Sequence, residues 1–317
     1  MNNLCEHIAV LSKEVIRELN IQKSGLYCDA TFGGGGHAKE ILSRLNKFGR
    51  LLVIDCDLEA IKIARNLALQ DNRLLVMHGF FSKIVTFASQ LNLLGRVNGI
   101  LLDLGVSSLQ IENSQRGFSF MRNEPLDMRM NNTCGQSASE WLAKASVQEI
   151  TWVLRTLGEE KFALRIAKNI VQQRQWKSID TTQELVSLVL DVVPRFFDRH
   201  KHPLTKTFRA IRMHVNRELE EIIQVLEGSL MVLSSGGKLL VISFHSGEDR
   251  IVKNFMRKYS LRRSLIVNNF PLIKVQDAMC CFSQYKLCNV SRIFPSHQEK
   301  KNNPRARSAV MRIAEKL

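Results

Sequence analysis

The stretch 26–38 constrains this chain more than any other. It reads Leu-Tyr-Cys-Asp-Ala-Thr-Phe, then Gly33, Gly34, Gly35 and Gly36, then His37 and Ala38. Leu26, Tyr27 and Cys28 suit a buried strand that ends at Asp29. Consecutive glycines let the backbone turn tightly and approach a ligand with no Cβ in the way. Ala38, Ile41, Leu42 and Leu45 then recur at helical spacing. Strand, glycine loop and helix in this order are the first half of a nucleotide-binding βαβ unit. The apolar run 50–55 supplies the second half. It closes on Asp55, 22 residues beyond Gly33. An acid about 20 residues past such a loop is placed for a ribose hydroxyl pair, and a carboxylate has the lone pairs to accept from both hydroxyls.

The loop alone admits three readings. Gly33, Gly35 and Ala38 fit G-x-G-x-x-G/A, the fingerprint of a nicotinamide dinucleotide site. Asp29 disfavours that ligand, because its carboxylate would face a pyrophosphate. It suits instead a cationic ligand with an amino group, such as S-adenosylmethionine. The third reading is a tight turn with no ligand.

Downstream, periodicity predicts helices over 6–20 and 58–69 and a strand over 73–77 leading to Phe81. The Phe81 ring serves either an adenine or the core. A further strand, 97–105, carries Asp103. Ligands of open parallel sheets bind beyond the carboxyl ends of the strands, and Asp29, Asp55, Phe81 and Asp103 all fall at such ends. From 137 to 197 strand patterns vanish. Ser137 with Glu140, Ser146 with Glu149 and Thr181 with Glu184 are capping-box signatures ahead of apolar helical stripes. This predicts a helical domain over 110–210, entered through the aperiodic loop 116–130, inserted into an α/β domain of 1–109 and 211–317. A long helix is expected over 205–227, and strands over 238–243 and 308–313.

Composition narrows the function. Hydrophobic residues make up 45% of 317, enough for a sizeable core. No apolar run reaches the roughly 18 residues of a membrane span, and the start lacks the pattern of a signal peptide. The seven cysteines, at 5, 28, 56, 134, 280, 281 and 288, are odd in number and scattered. They read as reduced thiols of a cytoplasmic protein. Cys280, Cys281 and Cys288 match no zinc spacing, so no metal is expected. The net charge is +15, and from Arg250 onward 15 Lys and Arg stand against 3 acids. Such a basic end points to a polyanion, with nucleic acid the first candidate.

Several longer motifs go further. They are Asp29-Ala-Thr-Phe-Gly-Gly-Gly-Gly-His37, Leu102-Asp-Leu-Gly-Val-Ser-Ser108, Arg116-Gly-Phe-Ser-Phe-Met121, Pro125-Leu-Asp-Met-Arg-Met130, Ile242-Ser-Phe-His-Ser246 and Asn303-Pro-Arg-Ala-Arg-Ser308. Together they resemble the RsmH (MraW) family from His7 to Ile313. That family uses S-adenosylmethionine to methylate N4 of a cytidine in the decoding region of 16S ribosomal RNA. The resemblance implies a class I methyltransferase fold, with a Rossmann-like sheet and an inserted all-helical domain for substrate recognition. It places cofactor contacts on Gly35, Gly36, His37, Asp55, Phe81, Asp103 and Gln110. It implies a partner in 16S ribosomal RNA or the small ribosomal subunit, with no membrane, for a monomer or homodimer in the cytoplasm.

Asp103, at its strand end, is the candidate acceptor for the amine proton. Arg116, Arg129, Arg209, Arg212, Arg305 and Arg307 are candidates for gripping phosphates. Asn216 either bonds the base or faces solvent, and His245 is either a substrate contact or a structural histidine. Two rivals remain: an RNA-binding assembly factor with a vestigial pocket, and a DNA amino-methyltransferase. The latter resembles a Pro-Pro pattern that is absent after Asp103.

Overall fold

The computed structural model describes residues 9–112, 115–193, 204–260 and 286–317. Cys5, Cys280 and Cys281, His7, and the start of the helix expected over 6–20 lie outside the described residues. The chain divides into two units, Met1–Gly105 with Leu219–Leu317, and Val106–Glu218.

The first unit is built on strands whose residues are apolar on both faces. In chain order it contains α1 (Ser12–Leu19), β1 (Leu26–Asp29), α2 (Gly36–Arg44), β2 (Arg50–Asp55), α3 (Leu58–Gln70), β3 (Leu74–His78), α4 (Ile84–Gln90) and β4 (Val97–Asp103). Because side chains alternate across a strand, Leu52, Ile54, Ile100 and Leu102 enter one core, and Leu51, Val53 and Leu101 enter another on the opposite face. A sheet buried on both sides has this near-continuous apolar pattern.

The second unit follows β4. Its helices are α5 (Ser108–Glu112), α6 (Ala138–Lys144), α7 (Val147–Thr156), α8 (Ala163–Gln173), α9 (Thr182–Leu190) and α10 (Leu204–Val215). They enclose a core of their own, including Leu142, Ile150, Leu154, Ile166, Ile170, Leu185 and Phe208. Two of the three expected capping boxes are complete, at Ser137–Glu140 and Thr181–Glu184. At the third, Ser146 caps the Glu149 amide, but the Glu149 carboxylate accepts from Trp141 Nε1 at 2.8 Å.

The chain returns through α11 (Glu218–Val232) to β5 (Leu233–Ser243) and α12 (Ser246–Tyr259), and then to β6 (Leu287–Ile293) and β7 (Val310–Lys316). The seven strands are ordered β3-β2-β1-β4-β5-β7-β6. The first five run parallel, and β7 is antiparallel to both β5 and β6. Strand order reverses between β1 and β4, the switch point at which ligands of doubly wound sheets bind.

Three features differ from the sequence expectation. β5 begins at Leu233, because Gly236 and Gly237 lie inside a bulge against β4 and do not precede the strand. β6 carries no usable alternation, since its central residues Asn289 to Arg292 are exposed. The helix expected over 205–227 is broken. Arg217 sits in the left-handed region at φ 50°, and the Arg217 amide donates to the His214 carbonyl at 3.1 Å. The apolar stripe is continuous in sequence but serves two cores: Phe208 and Ile211 fill the helical one, and Ile222 and Leu226 fill one face of the sheet. A straight helix had no reason to end there on pattern alone.

This break is testable at Arg217, which is exposed. A non-glycine residue pays about 1 kcal/mol or more in a left-handed conformation. Arg217→Gly is therefore expected to stabilise the protein by roughly 0.5–1 kcal/mol, and Arg217→Val to destabilise it by roughly 1–2 kcal/mol. Denaturant midpoints measure both. A continuous helix would reverse the glycine result, with a loss of about 1 kcal/mol.

Candidate active site

The site gathers at the carboxyl ends of β1, β2 and β4. Asp29, Asp55 and Asp103 are the last residues of these three adjacent strands. The glycine loop between β1 and α2 is tied to them through its backbone. The Phe32 amide donates to the Ile54 carbonyl at 3.2 Å. The Gly33 amide donates to Asp55 Oδ2 at 2.8 Å, and the Asp57 amide to Asp55 Oδ1 at 2.8 Å. Asp55 thus holds the loop and the start of α3 with one lone pair per oxygen, leaving the others for hydroxyl donors. Gly35 is required where it stands: its φ is +79°, and a Cβ there would lie 2.7 Å from the Phe32 ring.

Thr31 joins β1 to β4. Its amide donates to Asp29 Oδ1 at 3.2 Å, and its hydroxyl accepts from the Asp103 amide at 2.6 Å. His37, in the first turn of α2, is buried, with Nε2 3.6 Å from Asp103 Oδ2. That distance is an ion-pair approach rather than a hydrogen bond. Asp29 Oδ2, Asp103 Oδ1 and both ring nitrogens of His37 are buried and make no hydrogen bond within the protein. Buried polar atoms ordinarily find partners, so this cluster is built for a ligand that supplies them.

Burial pushes the Asp29 carboxyl up to about 6; His37 and the Thr31 amide oppose this, and the Asp103 and Asp55 charges add to it. Burial likewise pushes Asp55 up to about 6, against the amides of Asp57 and Gly33. For His37, burial disfavours the imidazolium, but the Asp103 carboxylate, with Asp29 and Glu299, outweighs it and raises the ring above its ordinary value. Three carboxylates around one imidazole suit a ligand that is cationic and rich in hydroxyl and amino donors. S-adenosylmethionine has that chemistry, and an anionic pyrophosphate does not.

Phe81 opens a 3-10 turn, Phe81–Lys83, just past β3, and is half-buried against the sheet core. Gln110 lies in the helical unit. Its Oε1 accepts from the Ser107 amide at 3.0 Å, and its own amide donates to Ser107 Oγ at 3.3 Å. This is a capping box, and Ser107-Ser-Leu-Gln110 in the form S-x-x-Q was its overlooked signal.

Most of the candidate substrate residues are engaged internally. Arg116 is buried and donates to the carbonyls of Arg129 and Met130 at 3.0 and 2.9 Å. Arg129 grips Asp127 in a bidentate pair at 2.8 and 2.7 Å, and that pairing holds the Asp127 carboxyl below its usual range although burial opposes it. Arg209 donates to the Gly158 carbonyl at 3.0 Å. Arg212 pairs with Glu218 at 2.7 and 2.8 Å. Asn216 does not face solvent: it is buried, accepts from the Met130 amide, and donates to the carbonyls of Met128 and Arg212. His245 caps α12, with Nδ1 accepting from the Gly247 and Glu248 amides at 3.2 and 3.4 Å and Nε2 3.1 Å from Glu248 Oε1. Sequence reasoning missed this box because histidine stands in place of serine or threonine. Arg305 and Arg307 sit on the turn Pro304–Ser308, with Arg307 exposed.

Among the described residues, no group of His, Cys, Asp and Glu is placed to hold a metal ion, and no helix is long and apolar enough to cross a membrane. Cys28, Cys56, Cys134 and Cys288 are free thiols.

Comparison with known proteins gives a consistent picture. Residues 4–317 match the MraW methylase family. A protein of Blochmanniella pennsylvanica named ribosomal RNA small subunit methyltransferase H is 51% identical over 315 residues, covering 98% of this chain and 94% of that one. Its namesake from Baumannia cicadellinicola is 50% identical over 313 residues, covering 98% of each. Among solved structures, a putative rRNA-methylase from Clostridium thermocellum aligns over 98% of this chain and 97% of its own, with 11% identity and a TM-score of 0.45.

The buried Asp29 carboxyl makes a sign-specific prediction. Its folded pKa, about 6, lies above the ordinary 3.8, so the folded state binds the proton more tightly. Stability therefore falls as pH rises between roughly 4 and 6, and the cost persists above that window. Asp29→Asn is expected to stabilise the ligand-free protein at pH 8 by on the order of 1–3 kcal/mol. The gain should shrink towards pH 5. Thermal melts at the two pH values measure the difference.

Proposed function

Because this chain belongs to the MraW methylase family, we propose that it transfers a methyl group from S-adenosylmethionine to N4 of a cytidine in the decoding region of 16S ribosomal RNA. The chain is an S-adenosylmethionine-dependent methyltransferase of small-subunit ribosomal RNA. Its fold is that of the class I, Rossmann-like methyltransferases. The observation that carries the finer reading is the cluster of Asp29, His37, Asp55 and Asp103 at the ends of three adjacent strands.

When bound, S-adenosylmethionine supplies a methyl group made electrophilic by its positive sulfur. An exocyclic cytosine amine is a poor nucleophile, because its lone pair is delocalised into the ring. The work of the protein is alignment and removal of one proton. Asp55, pinned by two backbone amides, offers its remaining lone pairs to a ribose hydroxyl pair. Gly35 and Gly36 keep the loop low enough for close approach, and Phe81 adds its ring to the cofactor contacts. Asp103 presents a carboxylate at the switch point, where it accepts a hydrogen bond from the amine, favours a more tetrahedral nitrogen and then takes the proton.

The target base must be unpaired or flipped to enter such a site. The helical unit recognises the RNA in this reading. Arg116, Arg129, Arg209, Arg212 and Asn216 serve it by fixing the loop and helix that present the surface. His245 fixes the start of α12. Arg305 and Arg307 supply charge to phosphates, in keeping with the basic end of the chain. The enzyme works in the cytoplasm, where small subunits are assembled. The intact glycine loop with Asp55 speaks against a vestigial pocket, and Asp103-Leu-Gly-Val in place of a Pro-Pro motif speaks against a DNA amino-methyltransferase.

Mass analysis of small-subunit RNA from cells with and without this protein tests the assignment. One decoding-region cytidine should lose 14 Da (~14, one CH2) at N4 in its absence, and an unchanged modification pattern would overturn the reading.

Asp103→Asn separates chemistry from binding. If Asp103 acts on the amine, single-turnover methylation falls by roughly two orders of magnitude or more while cofactor affinity falls much less. Recovery of the full rate at saturating cofactor would leave Asp103 a binding residue only.

A further inference from the structure

His37 belongs to the candidate site, yet the mechanism assigns its side chain no step. Its ring is buried, and neither nitrogen has a hydrogen-bond partner within the protein. Its Nε2 lies 3.6 Å from Asp103 Oδ2. The acids that act on it come from three elements: Asp103 from β4, Asp29 from β1, and Glu299 from the short helix His297–Asn302. Glu299 is anchored there, its Oε1 accepting from the Leu11 amide at 2.6 Å. Burial opposes the imidazolium, and so does the N-terminal turn of α2 that carries the ring.

Charge balance then depends on what else is bound. Without a ligand, the charges of Asp29 and Asp103 both act on His37, and a buried carboxylate needs a counter-charge. With a cationic ligand, that counter-charge arrives from outside, and an imidazolium in the same low-dielectric cluster is repelled by it. We propose that His37 is the exchangeable counter-charge of the site: its imidazolium offsets Asp29 and Asp103 when no cation is bound, and binding of S-adenosylmethionine expels its proton. This rests on the methyltransferase reading above and adds to it a function for the His37 side chain.

The consequence is discrimination between cofactor and product. S-adenosylhomocysteine is neutral at sulfur, so its binding leaves the His37 proton largely in place. Each turnover exchanges a sulfonium for a neutral thioether, and His37 regains its proton once per turnover. The cationic cofactor is favoured over the product as pH rises, because the neutral imidazole no longer competes with it. The Asp103 carboxylate, with Asp29 and Glu299, raises the His37 pKa and so favours the proton in the ligand-free site. Asp29 and Asp55, pushed up to about 6, are already ionised at pH 7.5 and contribute little there.

Calorimetric titration of the purified full-length protein at pH 7.5, in buffers of different ionisation enthalpy, reads the proton directly. The native protein should release a measurable fraction of one proton on binding S-adenosylmethionine and much less on binding S-adenosylhomocysteine. Its affinity for S-adenosylmethionine should rise with pH, by up to tenfold per unit below the His37 pKa, with a flatter response for S-adenosylhomocysteine. His37→Asn and His37→Gln should still bind but lose the difference between the two ligands. Equal proton release for both ligands in the native protein, or unchanged release in either folded variant, would overturn the proposal. Binding of neither ligand by the native protein would instead overturn the methyltransferase reading on which it rests.

Discussion

Three like charges at the ends of three neighbouring strands are the constraint that the rest of this structure answers. Parallel pairing puts Asp29, Asp55 and Asp103 at the same edge of the sheet, and burial then penalises the ionised forms of Asp29 and Asp55. Each has a different answer. Asp55 is satisfied by two backbone amides of the segments that flank it. Asp29 takes one amide, from Thr31. Asp103 faces the His37 ring. The site is therefore costly without a ligand and relieved by a cation. Binding energy is in this way prepared during folding.

The same interactions fix the loop. A stretch of four glycines has little conformational preference of its own. Here it has one shape because the Phe32 and Gly33 amides are held by β2 and because the Phe32 ring fills the space that a side chain at residue 35 would need. The acid that resembles a ribose ligand in the sequence is also the residue that shapes the loop. Under the proposed function, cofactor binding and architecture share one carboxylate.

What could be read from the sequence follows from locality. The strand ends that carry the acids, the glycine turn and the capping boxes at Ser137 and Thr181 depend on residues within a few positions of one another, and these were legible. Features that depend on distant partners were not. The Arg217 break is invisible because one apolar stripe supplies two cores. Asn216 looks like an exposed helical polar residue until the Met128 and Met130 backbone is seen beside it. Arg116, Arg129 and Arg212 read as phosphate ligands because a sequence displays charge but not the Asp127, Glu218 or carbonyl groups that engage it. The edge strand β6 had no pattern because an edge with exposed side chains needs none.

The helical unit is inserted between two strands that are partners. Val97 of β4 lies opposite Leu233 of β5, so this pairing must close across more than a hundred intervening residues. The contacts of the helices are mostly local, and those of this strand pair are not. Contacts of high sequence separation form slowly, and synthesis proceeds from the N-terminus. While the ribosome is still making residues beyond β4, that strand is a bare edge with Ile100, Leu101 and Leu102 ready to pair with any other chain. An enzyme that modifies ribosomal RNA thus passes, during its own birth, through a long interval in which its central strand awaits a neighbour not yet translated.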